Sequence, residues 1–450
     1  MLRNEASFRD PDGYVFEHAG GVYRGLTSQA AARLAAHSAF YAEAVERGLL
    51  VAFHEAAPAF GFSAVIAPER IPLVTYPHEW SYEQLKDAAL NTLDVNILAL
   101  QHGLTLKDAS AFNNQTLACR SVFIDHTSFE ETDGRLPWRP YSQFCRHFLN
   151  PLVVGVYRDI HVGSFFRSNL DGLQQQLAND LLPVRARIRP SVFVHMVAHN
   201  RFIRRTADFE GRTQATAVRA RGRQIDLLRQ LRGFIEGLSA ARAASTWARY
   251  YESTNYVEAA FEQKKQIVGD CFAGRHLATV WDVGANDGTF SRLIDNSAKT
   301  VVALDLDHNA VNANYAFNRQ HGRDRIHALV YDVGNPTPAL GFRNRERSTL
   351  EERSRPDAIM ALAVIHHLSL TNNVPLTDSA RYFAERTPEL VVEWVGRGDS
   401  QVQRLLAQKT VSYDGYTEEC FIRAYGAQFA LLSRTQISGT DRAIYRFGRP

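Results

Sequence analysis

From about residue 250 onward, apolar runs recur at 278–283, 300–305, 326–331, 357–363 and 389–395, separated by segments of helix length. Strand-length runs alternating with helix-length segments predict an α/β fold built on a doubly wound sheet. The end of the chain departs from that rhythm. Phe429–Ser433, a turn at Gly439-Thr440 and then Ala443–Phe447 predict a closing antiparallel hairpin.

The first 180 residues carry a different pattern. Gly13–Arg24 has the form of a hairpin, and Ile71–Tyr76 reads as an apolar strand leading into Glu79–Leu90, the hinge and the helix that follow it. Ser121–Asp125 reads as a short apolar strand ending in an acid. Between these parts the chain is helical: Ile225, Leu228, Leu231, Phe234, Ile235 and Leu238 recur at helical spacing, so that segment has a face to bury. Three regions are expected: 1–180, a basic helical linker region over 181–249, and 250–450.

Composition narrows the class. A chain of 450 residues is too long for one small core and fits two or three domains. Its 45% hydrophobic and 22% charged residues are globular values, and a net charge of +3 does not by itself call for nucleic acid. The basic character is local: fourteen arginines lie between Arg185 and Arg249, against only Asp208, Glu210, Asp226 and Glu236. Such a segment suits an acidic partner such as RNA, but no aromatic residues interleave for stacking, which favours a solvated linker. Cys119, Cys145, Cys271 and Cys420 are too scattered for a metal-ligand pair, and no metal is expected. Widely spaced cysteines, a polar N-terminus and no run of eighteen apolar residues lead to the expectation of a cytoplasmic protein with no membrane span.

The chemistry concentrates at the first of the late strands. Val280-Trp281-Asp282-Val283-Gly284-Ala285-Asn286-Asp287-Gly288-Thr289 is a strand, a glycine-bearing turn and a helix start, and Val301-Val302-Ala303-Leu304-Asp305 is the next strand. Gly284 and Gly288 permit a tight turn and close approach of a ligand, and an acid about twenty residues on suits a ribose diol. A dinucleotide fingerprint would need glycine where Asn286 stands, because a pyrophosphate must pass there. The form D-x-G-A-N-x-G instead resembles the first motif of class I S-adenosylmethionine-dependent methyltransferases. That resemblance implies S-adenosylmethionine as cofactor, with Asp282, Gly284, Asn286 and Gly288 at the turn and Asp305 on the ribose hydroxyls. It further implies Asp332 near the adenine amine, and Ala361 in a fourth strand opening onto the methyl-transfer site. The bland alternative is a strand–helix–strand unit with no ligand.

Methyl transfer requires a positioned nucleophile and sometimes a base. His366 and His367 follow the fourth strand directly, and either could serve as general base or merely pack at a helix start. Glu393 is an acid inside the apolar strand Leu390–Val395, so it either lines the active site or meets an arginine. Asn372-Asn373-Val374-Pro375 has the wrong order for the tetrad of nucleobase amino-methyltransferases and lacks its aromatic residue. Tyr250, Tyr251, Asn255 and Tyr256 could form a lid over the cofactor or dock a linker.

The N-terminal region carries a second resemblance. Asp108 and Asn113 in D-x-x-x-x-N, with Asp125 twelve residues beyond, resemble the catalytic loop and metal-binding aspartate of protein-kinase-like phosphotransferases, particularly sugar and lipopolysaccharide kinases. In those enzymes the first acid orients the hydroxyl nucleophile, while the Asn and second acid hold magnesium. The first lysine of this chain is Lys86, so none is available on an early strand to clamp phosphates. Arg24 is the stand-in, no G-x-G-x-x-G loop precedes it, and the expectation is a degenerate kinase-like domain.

Blocks along nearly the whole chain, among them Tyr76–Ser81, Leu106–Ser110, Val122–Glu130, Gln143–Leu149, Ala363–Leu368 and Asp399–Leu406, are similar to one family of long bacterial class I methyltransferases that includes nodulation proteins. The resemblance implies a Rossmann-like methyltransferase sheet preceded by the kinase-like α+β domain and linker. It implies methyl transfer to a small-molecule or carbohydrate-type acceptor. A bifunctional or scaffold protein whose N-terminal half binds a nucleotide or partner is the alternative, as is an enzyme using the sulfonium for intramolecular displacement.

Overall fold

The computed structural model describes residues 2–58, 60–198, 217–241, 258–410 and 412–449. The chain divides into two compact units, one of Met1–Ala243 with Ala339–Ser348, the other of Ala244–Pro338 with Thr349–Pro450. No helix among the described residues is long and apolar enough to cross a membrane.

The first unit opens with five antiparallel strands: β1 (Leu2–Arg3), β2 (Gly13–His18), β3 (Gly21–Leu26), β4 (Phe53–Ala56) and β5 (Ala64–Pro68), in the order β1-β2-β3-β5-β4. The hairpin expected over Gly13–Arg24 is β2–β3, paired from Gly13↔Leu26 to His18↔Gly21. Two helices, α1 (Ser28–Ala36) and α2 (Ser38–Glu46), separate β3 from β4. The strand expected at Ile71–Tyr76 is absent, and β5 takes its place in the sheet. Pro72 removes a ladder donor there. The N–H of Thr75 goes instead to the side-chain oxygen of Gln115, at 2.8 Å.

Helix α3 (Tyr82–Gln101) follows, started by a reciprocal cap: the Gln84 carboxamide oxygen accepts the N–H of Ser81 at 2.9 Å. Leu85, Ala88, Ala89, Leu93 and Leu100 on α3 are fully buried in the unit's main core. Beyond it, β6 (Leu104–Leu106) pairs with β9 (Phe129–Glu131), and β7 (Asn114–Leu117) with β8 (Arg120–Phe123). Helix Ala217–Glu236 buries Leu228, Leu231 and Ile235 in the same core as α3. Arg232 pairs with Asp94 at 2.6 Å and Lys86 Nζ donates to the Leu238 carbonyl at 2.7 Å. The apolar stripe at helical spacing outweighed the arginines around it.

Residues 339–348 complete this unit, although they lie in sequence between two strands of the other. Leu340 and Arg347 bridge antiparallel, Glu346 is 4% exposed, and Arg9 grips its carboxylate through two hydrogen bonds of 2.8 and 3.0 Å. Arg347 lies over the Phe112 ring at 4.4 Å.

The second unit holds β10 (Leu277–Val283), β11 (Ala298–Asp305), β12 (Ile326–Val330), β13 (Ala358–Ala361), β14 (Glu389–Val395), β15 (Ala430–Ile437) and β16 (Arg442–Gly448). They form one sheet in the order β12-β11-β10-β13-β14-β16-β15. The first five strands run parallel, and β16 runs antiparallel between β14 and β15. The doubly wound sheet and its closing hairpin are thus as expected. Chain order reverses between β10 and β13, so their carboxyl ends flank a topological switch point, where open α/β sheets bind ligands. Strand β13 stops at Ala361, earlier than the apolar run suggests, because Ala363 turns to a left-handed φ of +55°.

Candidate active site

The turn after β10 is built from residues with positive φ: Gly284 at +73°, Asn286 at +50° and Gly288 at +82°. The N–H groups of Gly284 and Ala285 both donate to the Leu304 carbonyl of β11, at 2.8 and 3.0 Å. Asn286 is among the few side chains that tolerate a left-handed backbone, and its carboxamide oxygen accepts the next N–H, of Asp287, at 2.7 Å. At Gly288 a Cβ would stand 2.3 Å from the Asn314 carboxamide, so glycine is required there for two reasons.

Asp305 ends β11 and closes this turn from the other side. One carboxylate oxygen accepts the N–H of Asn286 and the other that of Asp307, each at 2.8 Å. Burial pushes its carboxyl up to about 6, while those two N–H groups pull the other way. Leu306, next in sequence, is 64% exposed. Asp332 is half-buried just past β12, with one carboxylate oxygen accepting the N–H of Gly334 at 2.8 Å. Gly284, Asn286, Gly288, Asp305 and Asp332 therefore share the carboxyl-end edge of three adjacent strands.

Two residues expected at the cofactor lie beneath that edge instead. Asp282 is 1% exposed and accepts the Ser291 hydroxyl at 2.5 Å, tying β10 to the helix Thr289–Leu293; burial raises its carboxyl to about 7. Ala361 has no exposed surface. The residues that reach the edge on that strand are Ala363 and Val364, both half-buried.

The catalytic candidates separate in the same way. Glu393 is fully buried, and its carboxylate accepts Lys264 Nζ at 2.7 Å and Arg442 Nη1 at 3.3 Å. Arg442 Nε reaches on to Asp399 at 2.8 Å. Of the two roles open to Glu393 it takes the second, the centre of a buried ionic network, and it is not exposed to a substrate. Lys264 comes from the helix Glu258–Phe272, where it sits in line with buried Ala260 and Val268. A lysine on the apolar face of a helix was the signal available for this network. His366 is fully buried, while His367 keeps a partly exposed edge 4.1 Å away, centroid to centroid. Burial holds His367 at about 4 and takes His366 well below the usual imidazole range, so both rings are neutral at pH 7. Tyr250, Tyr251, Asn255 and Tyr256 lie outside the described residues.

In the first unit, Asp108 follows β6, Asn113 precedes β7 and Asp125 follows β8. Burial and then the charge of Asp125 push Asp108 upward, while Gln143, Asn113 and the Ser110 N–H oppose the shift, so these groups share one neighbourhood. Arg24 from β3 enters it, 2.9 Å from Asp125, and also pairs with Asp10 and bonds Thr127. Burial alone would raise Asp125, but Arg24 and Thr127 hold it below the usual carboxylate range. Asp12 is taken up by Arg33, at 2.6 Å, and by Lys107. Asp10 and Asp12 carry no motif in the sequence and were not anticipated. Among the described residues no group of three or more His, Cys, Asp or Glu is arranged to hold a metal ion.

No protein-family model matches the chain. Nodulation protein NoeA of Rhizobium meliloti (strain 1021) is 32% identical over 465 residues, covering 99% of this chain and 96% of that protein. Among solved structures, N-methyltransferase NodS from Bradyrhizobium japonicum WM9 matches 43% of this chain and 98% of its own, with 13% identity and a TM-score of 0.33. Magnesium protoporphyrin IX methyltransferase (ChlM) from Synechocystis PCC 6803 with bound SAM matches 46% of this chain and 92% of its own, with 14% identity and a TM-score of 0.34.

Replacing Glu393 by Gln should destabilise the second unit by roughly 3–5 kcal/mol, because it leaves Lys264 and Arg442 as buried cations without their shared anion. Denaturant unfolding of the two proteins measures the difference. A loss below about 1 kcal/mol would return Glu393 to the list of catalytic candidates.

Proposed function

The chain belongs to the family of the nodulation protein NoeA, and for this member we propose S-adenosylmethionine-dependent methyl transfer to a small-molecule or carbohydrate-type acceptor. The observation that carries the reading is the clasp of Asp305 on the turn at Asn286. The carboxylate has about four acceptor positions, and after its backbone N–H partners it keeps acceptor capacity for a ribose hydroxyl. Leu306 adds an exposed apolar face at the same edge, whose burial under a purine would be favourable. Asn286, in the place of a dinucleotide fingerprint's second glycine, suits a nucleoside without a pyrophosphate. These residues fit the cofactor; Asp282 and Ala361 would support it from below.

Bound adenosylmethionine would supply a methyl group on a sulfonium, open to in-line displacement. The protein's part is to hold an acceptor in line at about 3 Å and to exclude water. His367, neutral and partly exposed, is the residue proposed to accept the acceptor's proton. Intramolecular displacement is the chemical alternative; it is distinguished by its product, since only methyl transfer yields S-adenosylhomocysteine.

For the first unit we propose a kinase-like arrangement that has lost phosphotransfer and serves to bind or present a partner molecule. The support is the placing of Asp108, Asn113 and Asp125 around the β6–β9 and β7–β8 pairs, with Arg24 as the cation opposite Asp125. A guanidinium bonded to Asp125, Asp10 and Thr127 neutralises the acid that a magnesium ion would need.

Asp305→Ala should weaken S-adenosylhomocysteine binding by roughly 2–3 kcal/mol, since the ribose hydroxyls lose a charged acceptor. In the native protein the affinity should fall as pH drops through about 6, where this carboxylate takes up its proton. Calorimetry at several pH values tests both; unchanged affinity in the variant, or a flat profile from pH 8 to 5 (roughly two units above the shift to one below), rejects the assignment.

The full-length protein should not bind ATP with magnesium. Tight magnesium-dependent binding that disappears in Asp125→Asn would make the first unit an active phosphotransferase site and overturn its proposed role.

A further inference from the structure

The segment Ala363–Asn373, between the end of β13 and the following helix Leu376–Ala384, concentrates irregularities found together nowhere else in the described part of the second unit. Both ring nitrogens of His366 and the hydroxyl of Ser369 are buried without a hydrogen-bond partner. His366 has no exposed surface and Ser369 is 8% exposed. Buried polar atoms of this kind are a standing cost to a fold, and most native groups avoid it.

The backbone of the same stretch is strained. Ala363 at φ +55° and Asn373 at φ +57° are left-handed without being glycine. Between them His367–Thr371 winds as a π-helical turn, closed by the Asn372 N–H on the His367 carbonyl at 3.0 Å. Such turns are rare and gather at functional sites, and strained residues persist only where their surroundings hold them. Here the surroundings are the crevice itself. Val364 rests on the bare side of Gly284, where a Cβ would come within 2.5 Å of its Cγ2. Asn372 packs against Gly334, two residues beyond Asp332, and Asn373 accepts the Tyr413 hydroxyl.

We infer that Ala363–Asn373 is a cofactor-gated acceptor site, in which a ligand at the Gly284 turn displaces Val364 and brings His366 and Ser369 out to bind a hydroxyl- or amine-bearing acceptor. The inference rests on the cofactor reading above and deepens it. Val364 and a ligand drawn close to Gly284 compete for the same side of that residue, so binding favours the state in which Val364 has left. The imidazole and hydroxyl then meet an acceptor's N–H or O–H in place of having no partner. A neutral imidazole is the form that can accept such a proton, and burial first, then the neighbouring His367, Arg442 and Lys264, keep His366 neutral. His367 starts at the surface; His366 becomes its partner only after the segment moves.

The test uses the full-length protein with S-adenosylhomocysteine as probe, and reads hydrogen exchange and diethyl pyrocarbonate modification by mass spectrometry. Backbone exchange over 363–373 should rise on binding, opposite to the protection ligands usually confer. Carbethoxylation of His366 should rise by about tenfold or more, as expected when a state of roughly 0.1–10% population becomes dominant. Val364→Ala should bind the probe several-fold more tightly, because less must be displaced. If the probe binds by calorimetry while 363–373 is equally or better protected and His366 stays unreactive, the gating proposal is overturned and the cofactor reading stands. If the probe does not bind at all, the cofactor reading fails and the gating proposal with it.

Discussion

The carboxylate of Asp305 holds together the end of β11 and the turn that leaves β10, through the N–H groups of Asp307 and Asn286. The Leu304 carbonyl, which accepts the N–H groups of Gly284 and Ala285, adds a second tie across the strands to the same positive-φ stretch. The clasp also explains the residue choice at 286: a left-handed position whose N–H must point at an acid, with a side chain that caps its own neighbour. Everything else at the crevice is arranged around this edge. Asp332 stands one strand away on one side, and Val364 rests on Gly284 from the other.

Buried charge is handled in the same way in both units. In the second, Glu393 takes Lys264 and Arg442, and Arg442 passes on to Asp399. In the first, Arg24 takes Asp125 and Asp10, while Asp12 takes Arg33 and Lys107. Desolvation makes an isolated buried ion untenable, so acids that looked like chemical groups in isolation are bound into networks. Among the described residues of the second unit, both ring nitrogens of His366 and the hydroxyl of Ser369 find no such match. That contrast is why the segment after β13 stands out as the place where structure is held against its own preference.

The sheet was legible because each parallel strand is an apolar run bounded by polar helix, a pattern that needs no tertiary knowledge. The closing hairpin was legible for the same reason. What failed did so where tertiary partners outvote local pattern. Ile71–Tyr76 is apolar enough for a strand, but Pro72 and the Gln115 carboxamide take it out of the sheet. The arginine-rich middle looked like a linker until its apolar stripe met α3. Asp282 and Ala361 stand at motif positions yet face inward, because whether a side chain rises above or sinks below a sheet edge depends on where the strand stops, while Glu393 meets an arginine, one of the two readings its place in an apolar strand allowed. Lys264, Arg442 and Asp10 come from distant segments and carry no local motif. The excursion of residues 339–348 into the first unit is invisible to periodicity, since its anchor is the long-range pair Arg9–Glu346.

The central claim is that the crevice framed by Gly284, Asn286 and Asp305 takes a nucleoside without a pyrophosphate. Titration of the full-length protein in a calorimeter, once with S-adenosylhomocysteine and once with NADH, tests it most directly. The account predicts saturable heat with S-adenosylhomocysteine and none with NADH. Binding of NADH, with no response to S-adenosylhomocysteine, would contradict it.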